Sequence, residues 1–367
     1  MLPPMDEREA MTRALEIAWR GWGRVAPNPL VGAVLLHDGM VVGEGWHQEY
    51  GSAHAETIAL AAAGSRARGA TLVVTLEPCA HHGKQPPCAP AVLAAGVSRV
   101  VAALADPNPE AQGGAAWLSQ SGVPVELGLM GSEACRQNAA FLHRFRNKER
   151  PFVALKLATT IDGRIADLAG HSRWISGSIA RDYVHWLRAG FDAIASGGHT
   201  ARVDDSSLTV RGEIEPRRPP VRVLFDSRGD LPRSLKLVRS ADQIPTWVVV
   251  SPTAPTLART SLESAGVKVL VANTLTEGMA ELRAEGIESM IVEGGGRLGG
   301  ALLAEGLVDR FHWIQSPLWL GDEGVPAFSG LPGYSVADAA RWTVVERRAL
   351  GEDTLLVLDR EPCSPES

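Results

Sequence analysis

Apolar residues recur along this chain with two periods, and the switching between them marks out its elements. Met11, Leu15, Ala18 and Trp19 fall on one side of a helix over residues 6–20. Two short apolar runs, 30–36 and 40–45, flank Asp38-Gly39, a dipeptide that favours a tight hairpin turn. The pattern then alternates: a helix over 53–63, a strand over 69–76, a helix from Cys88 and a strand over 97–104. A helix over 111–120, a strand over 123–129 and a helix over 132–145 follow. Strands alternating with helices after an initial hairpin predict a three-layer α/β/α domain.

The stretch Arg144-Phe-Arg-Asn-Lys-Glu-Arg150 is charged and ends at Pro151, the composition of an exposed connector. It divides the chain into expected domains of 1–147 and 148–367. The second opens on an apolar strand from Phe152, whose alternation places Lys156 on one face with Phe152, Ala154 and Ala158. A lysine there is either at an edge or facing a pocket. A turn over 160–164 precedes a helix carrying Ile179, Tyr183, Trp186 and Leu187 at helical spacing. From Ile194 a strand runs into a polar loop ending at Arg211. Further strands are expected over 221–225, 247–250, 267–271 and 287–292, with helices over 254–265, 276–284 and 298–304. Strands over 311–314, 342–346 and 354–358 close the sheet, and the tail from Glu361 reads as disordered.

Composition narrows the class. A length of 367 residues fits two domains, and 45% hydrophobic with 21% charged residues is ordinary for a soluble globular protein. The formal charge of −6 gives no overall attraction to nucleic acid, so no nucleic-acid partner is expected. No apolar run approaches the roughly 18 residues of a membrane span, and the start lacks the layout of a signal peptide. Four cysteines in this length are no disulfide scaffold. Cys135 reads as a small helix residue and Cys363 as part of the polar tail. A cytoplasmic protein is expected.

Chemistry concentrates in Thr75-Leu-Glu-Pro78-Cys79-Ala-His-His-Gly-Lys84-Gln-Pro-Pro-Cys88, taken with His54-Ala55-Glu56 upstream. A His-x-Glu followed by Pro-Cys and a second Cys is the signature of a zinc-dependent deaminase. His54, Cys79 and Cys88 supply three ligands and leave a fourth position for water. Glu56 lies beside a ligand without being one, which suits it to carry protons. Residues two apart do not share a helix face, so His54 and Glu56 serve one site only if it sits over the helix end. The alternatives are a structural zinc knot, completed by His47, His81 or His82, and two buried free thiols.

Eight residues separate the two cysteines, where nucleic-acid deaminases have Pro-Cys-x-x-Cys. That long loop, with Pro27-Asn28-Pro29, Gly43-Glu-Gly45-Trp-His47 and Asp106-Pro-Asn-Pro109, resembles the deaminase half of the bifunctional riboflavin-biosynthesis deaminase/reductase family. The resemblance implies a cytidine-deaminase-like fold, one Zn2+ per chain, and substrate contacts at Asn28, His47, Ala55 and Lys84. Read alone, Asn28 also fits a turn and Lys84 an exposed loop.

The second half resembles that family's dihydrofolate-reductase-like α/β domain. The matching pieces are Lys156 with Thr160-Ile-Asp162-Gly163, Ser172-x-Trp174-Ile, and Arg188 with Asp192. Thr200, Asp204-Asp205-x-x-Leu208-Thr-x-Arg211 and Glu293-Gly294-Gly295 continue the likeness. The resemblance implies that Ser172, Arg188, Leu208 and Arg211 hold a ribose phosphate and that Asp204 and Glu293 lie near the reacting carbon. Lys156, Ala158, Trp174, Ser176, Thr200, Asp204, Ser227 and Gly294-Gly295-Gly296 would contact NADPH. Thr160-Ile161 stands for the family's usual Ser-Leu, and Ser206 for a proline. Both arginines could instead pair with Asp192, Asp204 or Asp205. The resemblance implies deamination of 2,5-diamino-6-ribosylamino-4(3H)-pyrimidinone 5′-phosphate, a small phosphorylated pyrimidine, followed by reduction of its ribose to ribityl. A homo-oligomer, dimeric or larger, is expected.

Overall fold

A computed structural model describes residues 4–361; the tail beyond, including Cys363, lies outside the described residues. The chain divides into two compact units, the first ending at Arg146 and the second beginning at Asn147.

The first unit is built on a five-stranded sheet of order β2-β1-β3-β4-β5. Its strands are β1 (Gly32–His37), β2 (Met40–Trp46), β3 (Thr71–Val74), β4 (Arg99–Ala102) and β5 (Val125–Leu127). The helices are α1 (Glu7–Ala18), α2 (Ala55–Ala63), α3 (Cys88–Ala94), α4 (Gly114–Gln120), α5 (Gly131–Gln137) and α6 (Ala139–Arg146). Asp6 starts α1 with a capping box, its side chain accepting from the Glu9 amide while Glu9 accepts from its own. The hairpin turns at Asp38-Gly39, both in the left-handed region.

Two glycines set the layer spacing. A Cβ at Gly43 would strike the Ala59 carbonyl and one at Gly45 the Ala55 carbonyl, so α2 lies directly on β2. Gly45 pairs with Ala33, whereas the neighbouring Gly32 faces the Ala14 carbonyl of α1. Adjacent strand residues point to opposite faces, so α1 and α2 sandwich the sheet and the three layers are present. The helix expected over 132–145 is two helices. Asn138 interrupts it, spending its side chain on both backbone groups of Leu30, at 2.8 and 3.0 Å.

The second unit holds a nine-stranded sheet of order β11-β10-β9-β8-β12-β6-β13-β16-β15. In chain order its elements begin with β6 (Phe152–Thr160), β7 (Arg164–Ala166), α7 (Ser178–Ala189), β8 (Ala193–Gly197) and α8 (Gly198–Asp204). Next come β9 (Val221–Phe225), α9 (Lys236–Arg239), β10 (Thr246–Val250), α10 (Thr256–Glu263), β11 (Lys268–Val271) and α11 (Leu275–Ala284). The remainder is β12 (Ser289–Glu293), α12 (Gly296–Ala304), β13 (Arg310–Ser316), β14 (Val325–Pro326), β15 (Thr343–Leu350) and β16 (Asp353–Asp359). From β11 to β13 all neighbours are parallel, and β16 and β15 extend the sheet antiparallel. Residues 198–204, expected in a loop, form α8, which stops where Asp205 takes a left-handed φ of 40°. Lys156 is not at an edge, since β6 runs between β12 and β13. Parallel strands expose their carboxyl ends at one edge, the position where such sheets bind ligands.

Candidate active sites

His54 is the N-cap of α2 rather than part of its first turn, with extended backbone (φ −74°, ψ 161°). Its imidazole is thereby free of the helix and turns across the end. Cys79 follows β3, and Cys88 is the first residue of α3, behind the Pro87 cap. His54 Nδ1 lies 3.5 Å from Cys79 Sγ and 3.3 Å from Cys88 Sγ, and the three ligand atoms all fall within 4.8 Å. Zn–N and Zn–S bonds of about 2.1 and 2.3 Å at a tetrahedral angle would set N and S roughly 3.6 Å apart. The donor set therefore fits zinc. The Cys88 amide donates to Cys79 Sγ at 3.4 Å, and the Cys88 thiol, also a donor to it, draws Cys79 down to about 4.

Glu56 is buried in the first turn of α2, beside the ligand atoms, and burial pushes its carboxyl up to about 7. His47 is also buried. Its Nδ1 faces the Ala53 carbonyl at 3.2 Å and so carries the proton; Nε2 then accepts from Asn28 Nδ2 at 3.1 Å. Burial holds His47 below its usual range, favouring the neutral ring. Asn28, His47, Ala55 and Lys84 all line one cavity of 330 Å³ with His54, Cys79 and Glu56. No fourth side-chain ligand joins the three among the described residues.

Two contributors escaped the sequence reading. Glu77 is buried and accepts from the Asp106 and Ala115 amides, both at 2.9 Å, clamping the 106–115 loop over the cavity. The available signal was a carboxylate inside the otherwise apolar Thr75–Cys79 run. Arg144, read as connector, belongs to α6 and lines the cavity.

In the second unit Glu293, Lys156 and His312 stand side by side across β12, β6 and β13. α7 covers this row: Tyr183 Oη lies 2.9 Å from His312 Nδ1, and Arg188 grips Glu293. Arg188 Nε and Nη2 donate to the two Glu293 oxygens at 2.5 and 2.7 Å, and Nη1 donates to the Thr209 carbonyl at 2.8 Å. The fork expected to hold phosphate is thus taken by a carboxylate, and by none of the three weighed from sequence. Asp192 accepts from Glu288 and Ser289 amides, Asp205 pairs with Lys236, and Asp204 accepts from Ser172 Oγ at 3.5 Å. Burial lowers Lys156 and, by itself, would raise Glu293; Arg188 more than reverses that and holds Glu293 down.

Arg211 is exposed, and Leu208 is buried with a left-handed φ of 44°. Trp174 is also left-handed, at 74°, and its exposed ring lies under the Arg181 guanidinium. The Ser176 carbonyl accepts from Arg181, and Ala158 pairs with Ile314 inside the sheet. Ser227 is exposed in the turn after β9. Gly294 and Gly295 have positive φ, and Cβ atoms there would press on Thr200, so their backbone lies flush against α8. Gly296 opens α12. Bare backbone at a strand-to-helix turn is suited to a phosphate-bearing cofactor.

Known proteins match both units. The zinc-binding region of cytidine and deoxycytidylate deaminases matches residues 4–104, and the RibD C-terminal domain matches 151–356. Riboflavin biosynthesis protein RibD of Escherichia coli is 41% identical over 373 residues, spanning 96% of this chain and 99% of that protein. Its counterpart in Haemophilus influenzae is 39% identical, spanning 94% and 95%. RibD of Acinetobacter baumannii (form 1) superposes with a TM-score of 0.83 at 36% identity, covering 96% of this chain and 98% of the other. A diaminohydroxyphosphoribosylaminopyrimidine deaminase/5-amino-6-(5-phosphoribosylamino)uracil reductase from Thermotoga maritima gives 0.82 at 33%, covering 97% and 99%. No helix among the described residues is long and apolar enough to cross a membrane.

Proposed function

The chain belongs to the bifunctional riboflavin-biosynthesis deaminase/reductase family, and from that premise we propose how its own residues divide the two reactions. The first unit deaminates 2,5-diamino-6-ribosylamino-4(3H)-pyrimidinone 5′-phosphate: water replaces the amino group and ammonia leaves. His54, Cys79 and Cys88 hold one zinc per chain, which when bound supplies a water acidified towards neutral pH. Glu56 carries one proton of the attacking water to the ring nitrogen, then carries the second, from the hydroxyl now on the ring carbon, to the amine, which leaves as ammonia as the carbonyl forms. Asn28 and the neutral His47 form a fixed hydrogen-bonding wall that orients the pyrimidine, and Lys84 reaches it from the loop between the cysteines.

The second unit reduces the ribosyl group to ribityl, giving 5-amino-6-ribitylamino-uracil 5′-phosphate. NADPH, when bound, supplies the hydride. The flush backbone of Gly294, Gly295 and Gly296 against Thr200 holds its phosphates, with Trp174, Ser176, Ser227, Lys156 and Ala158 along its length. Arg211, Ser172 and the Leu208 backbone anchor the sugar phosphate. Arg188 acts through Glu293, fixing that carboxylate near C1′, where Asp204, held by Ser172, joins it. The enzyme works as a cytoplasmic homo-oligomer.

The observation that carries this reading is the convergence of the three ligand atoms within 4.8 Å, with Glu56 buried beside them. Purified protein with zinc and the diaminopyrimidine should yield the deaminated intermediate without NADPH and the ribityl product with it, identified by mass. Unchanged substrate in both incubations would refute it.

A further inference from the structure

Several arginines of this protein are paired with carboxylates: Arg13 with Glu44, Arg150 with Asp309, Arg188 with Glu293, Arg310 with Asp359. The two long cationic side chains that line the zinc-site cavity depart from this. Lys84 Nζ sits 4.1 Å from the centre of the Tyr50 ring. The Arg144 guanidinium lies 4.7 Å from the Phe145 ring and 5.2 Å from the Phe141 ring, with Nη1 donating to the Pro27 carbonyl at 2.6 Å. Neither has a carboxylate within ion-pair reach among the described residues. Aromatic faces and a carbonyl hold a cation in place without cancelling its charge.

The placement of Arg144 is equally specific. Its partner Pro27 precedes Asn28, which bonds His47, and the His47 ring stands edge-on to His54 at 5.5 Å. One wall therefore runs from the ligand histidine outward through His47 and Asn28 to Pro27, with Arg144 at its outer end. The acids facing the cavity are otherwise engaged or apart: Glu56 lies by the ligands, Glu77 holds two amides, Asp106 holds the Asn108 amide, and Glu110 is exposed. A pyrimidine whose amino group reaches the ligand end directs its ribose phosphate away from it.

We propose that Arg144 is a specificity-determining residue of the deaminase site, taking the substrate's 5′-phosphate at the cavity mouth together with Lys84. A guanidinium offers a planar fork matched to two phosphate oxygens, and one of its sides is already fixed by Pro27. The first unit would thus select phosphorylated substrate by its own anion seat. This inference rests on the deaminase reading above.

The test compares deamination of the phosphorylated substrate and of its dephosphorylated analogue by full-length, zinc-loaded protein. Wild type should prefer the phosphorylated form, and Arg144→Gln should lower that preference, as a ratio of kcat/KM values, by about 10- to 100-fold through KM. Arg144→Lys should restore part of it. Equal losses on both substrates would overturn the proposal, showing that Arg144 merely braces the Pro27 segment. A wild type active on both without preference would also overturn it while leaving the deaminase reading intact. A wild type inactive on both would remove the reading itself, and the inference with it.

Discussion

Replacing Arg188 by methionine tests whether this arginine serves a buried ion pair or an open anion clamp. Methionine keeps most of the stem and its packing on α7 but removes all the donors. The Arg188 and Glu293 side chains are only 15% and 11% exposed, and two parallel bonds join them. Losing one partner of a buried pair costs about 3–5 kcal/mol, mainly because the other charge is stranded. Lys156, beside Glu293 in the next strand, remains to compensate in part, which places the expected loss near the lower limit, about 3 kcal/mol. At 2–4 °C per kcal/mol for a domain of this size, calorimetry should show the second unit melting about 6–12 °C lower. The double variant Arg188→Met/Glu293→Gln should lose less than the single, since no bare carboxylate remains, and the cycle gives the coupling directly. A single variant melting within about 1 °C of wild type would refute the reasoning. The pair would then be idle and Arg188 free to bind phosphate.

Three further outcomes are expected. Cys88→Ser should bind far less zinc by elemental analysis and lose deamination, while still oxidising NADPH with the deaminated intermediate. Glu56→Gln should retain the metal but lose about 100- to 10,000-fold in deamination rate, and near-normal turnover of a metal-replete sample would move the proton carrier elsewhere. Acid should destabilise the second unit through His312, which is buried and pushed by that burial down to about 3 from 6.5. Its folded pKa lies below the unfolded one, so the contribution is complete above pH 6.5 and shrinks as pH falls towards 3. Between neutrality and pH 5 the loss is about 2 kcal/mol, and His312→Asn should flatten that part of the stability–pH curve measured by denaturant unfolding.

The metal ligands were legible because their chemistry is written in short motifs: His54 and Glu56 two apart, Cys79 after a strand, Cys88 after Pro-Pro. Strand and helix order was legible for the same reason, since periodicity is local. What stayed hidden depended on distant partners. Arg188 and Glu293 are 105 residues apart, and no spacing rule joins them. Asn138 breaks a continuous helical pattern because Leu30, 108 residues away, offers both its backbone groups. α8 is short and polar, so nothing in its pattern separates it from a loop. Arg144 looked like linker because a run of charges hides which one has an aromatic bed.

The glycines that let α2 lie on β2 make the metal site a gauge of that spacing. His54 rides on the helix, whereas Cys79 and Cys88 arrive from β3 and α3, so the ligands close only if the layers hold their distance. Metal affinity and the folding of this corner are then one free energy seen from two sides. A chelator would act here as a local denaturant, and a substitution on the far side of the helix–sheet contact could starve the enzyme of metal without altering a single ligand.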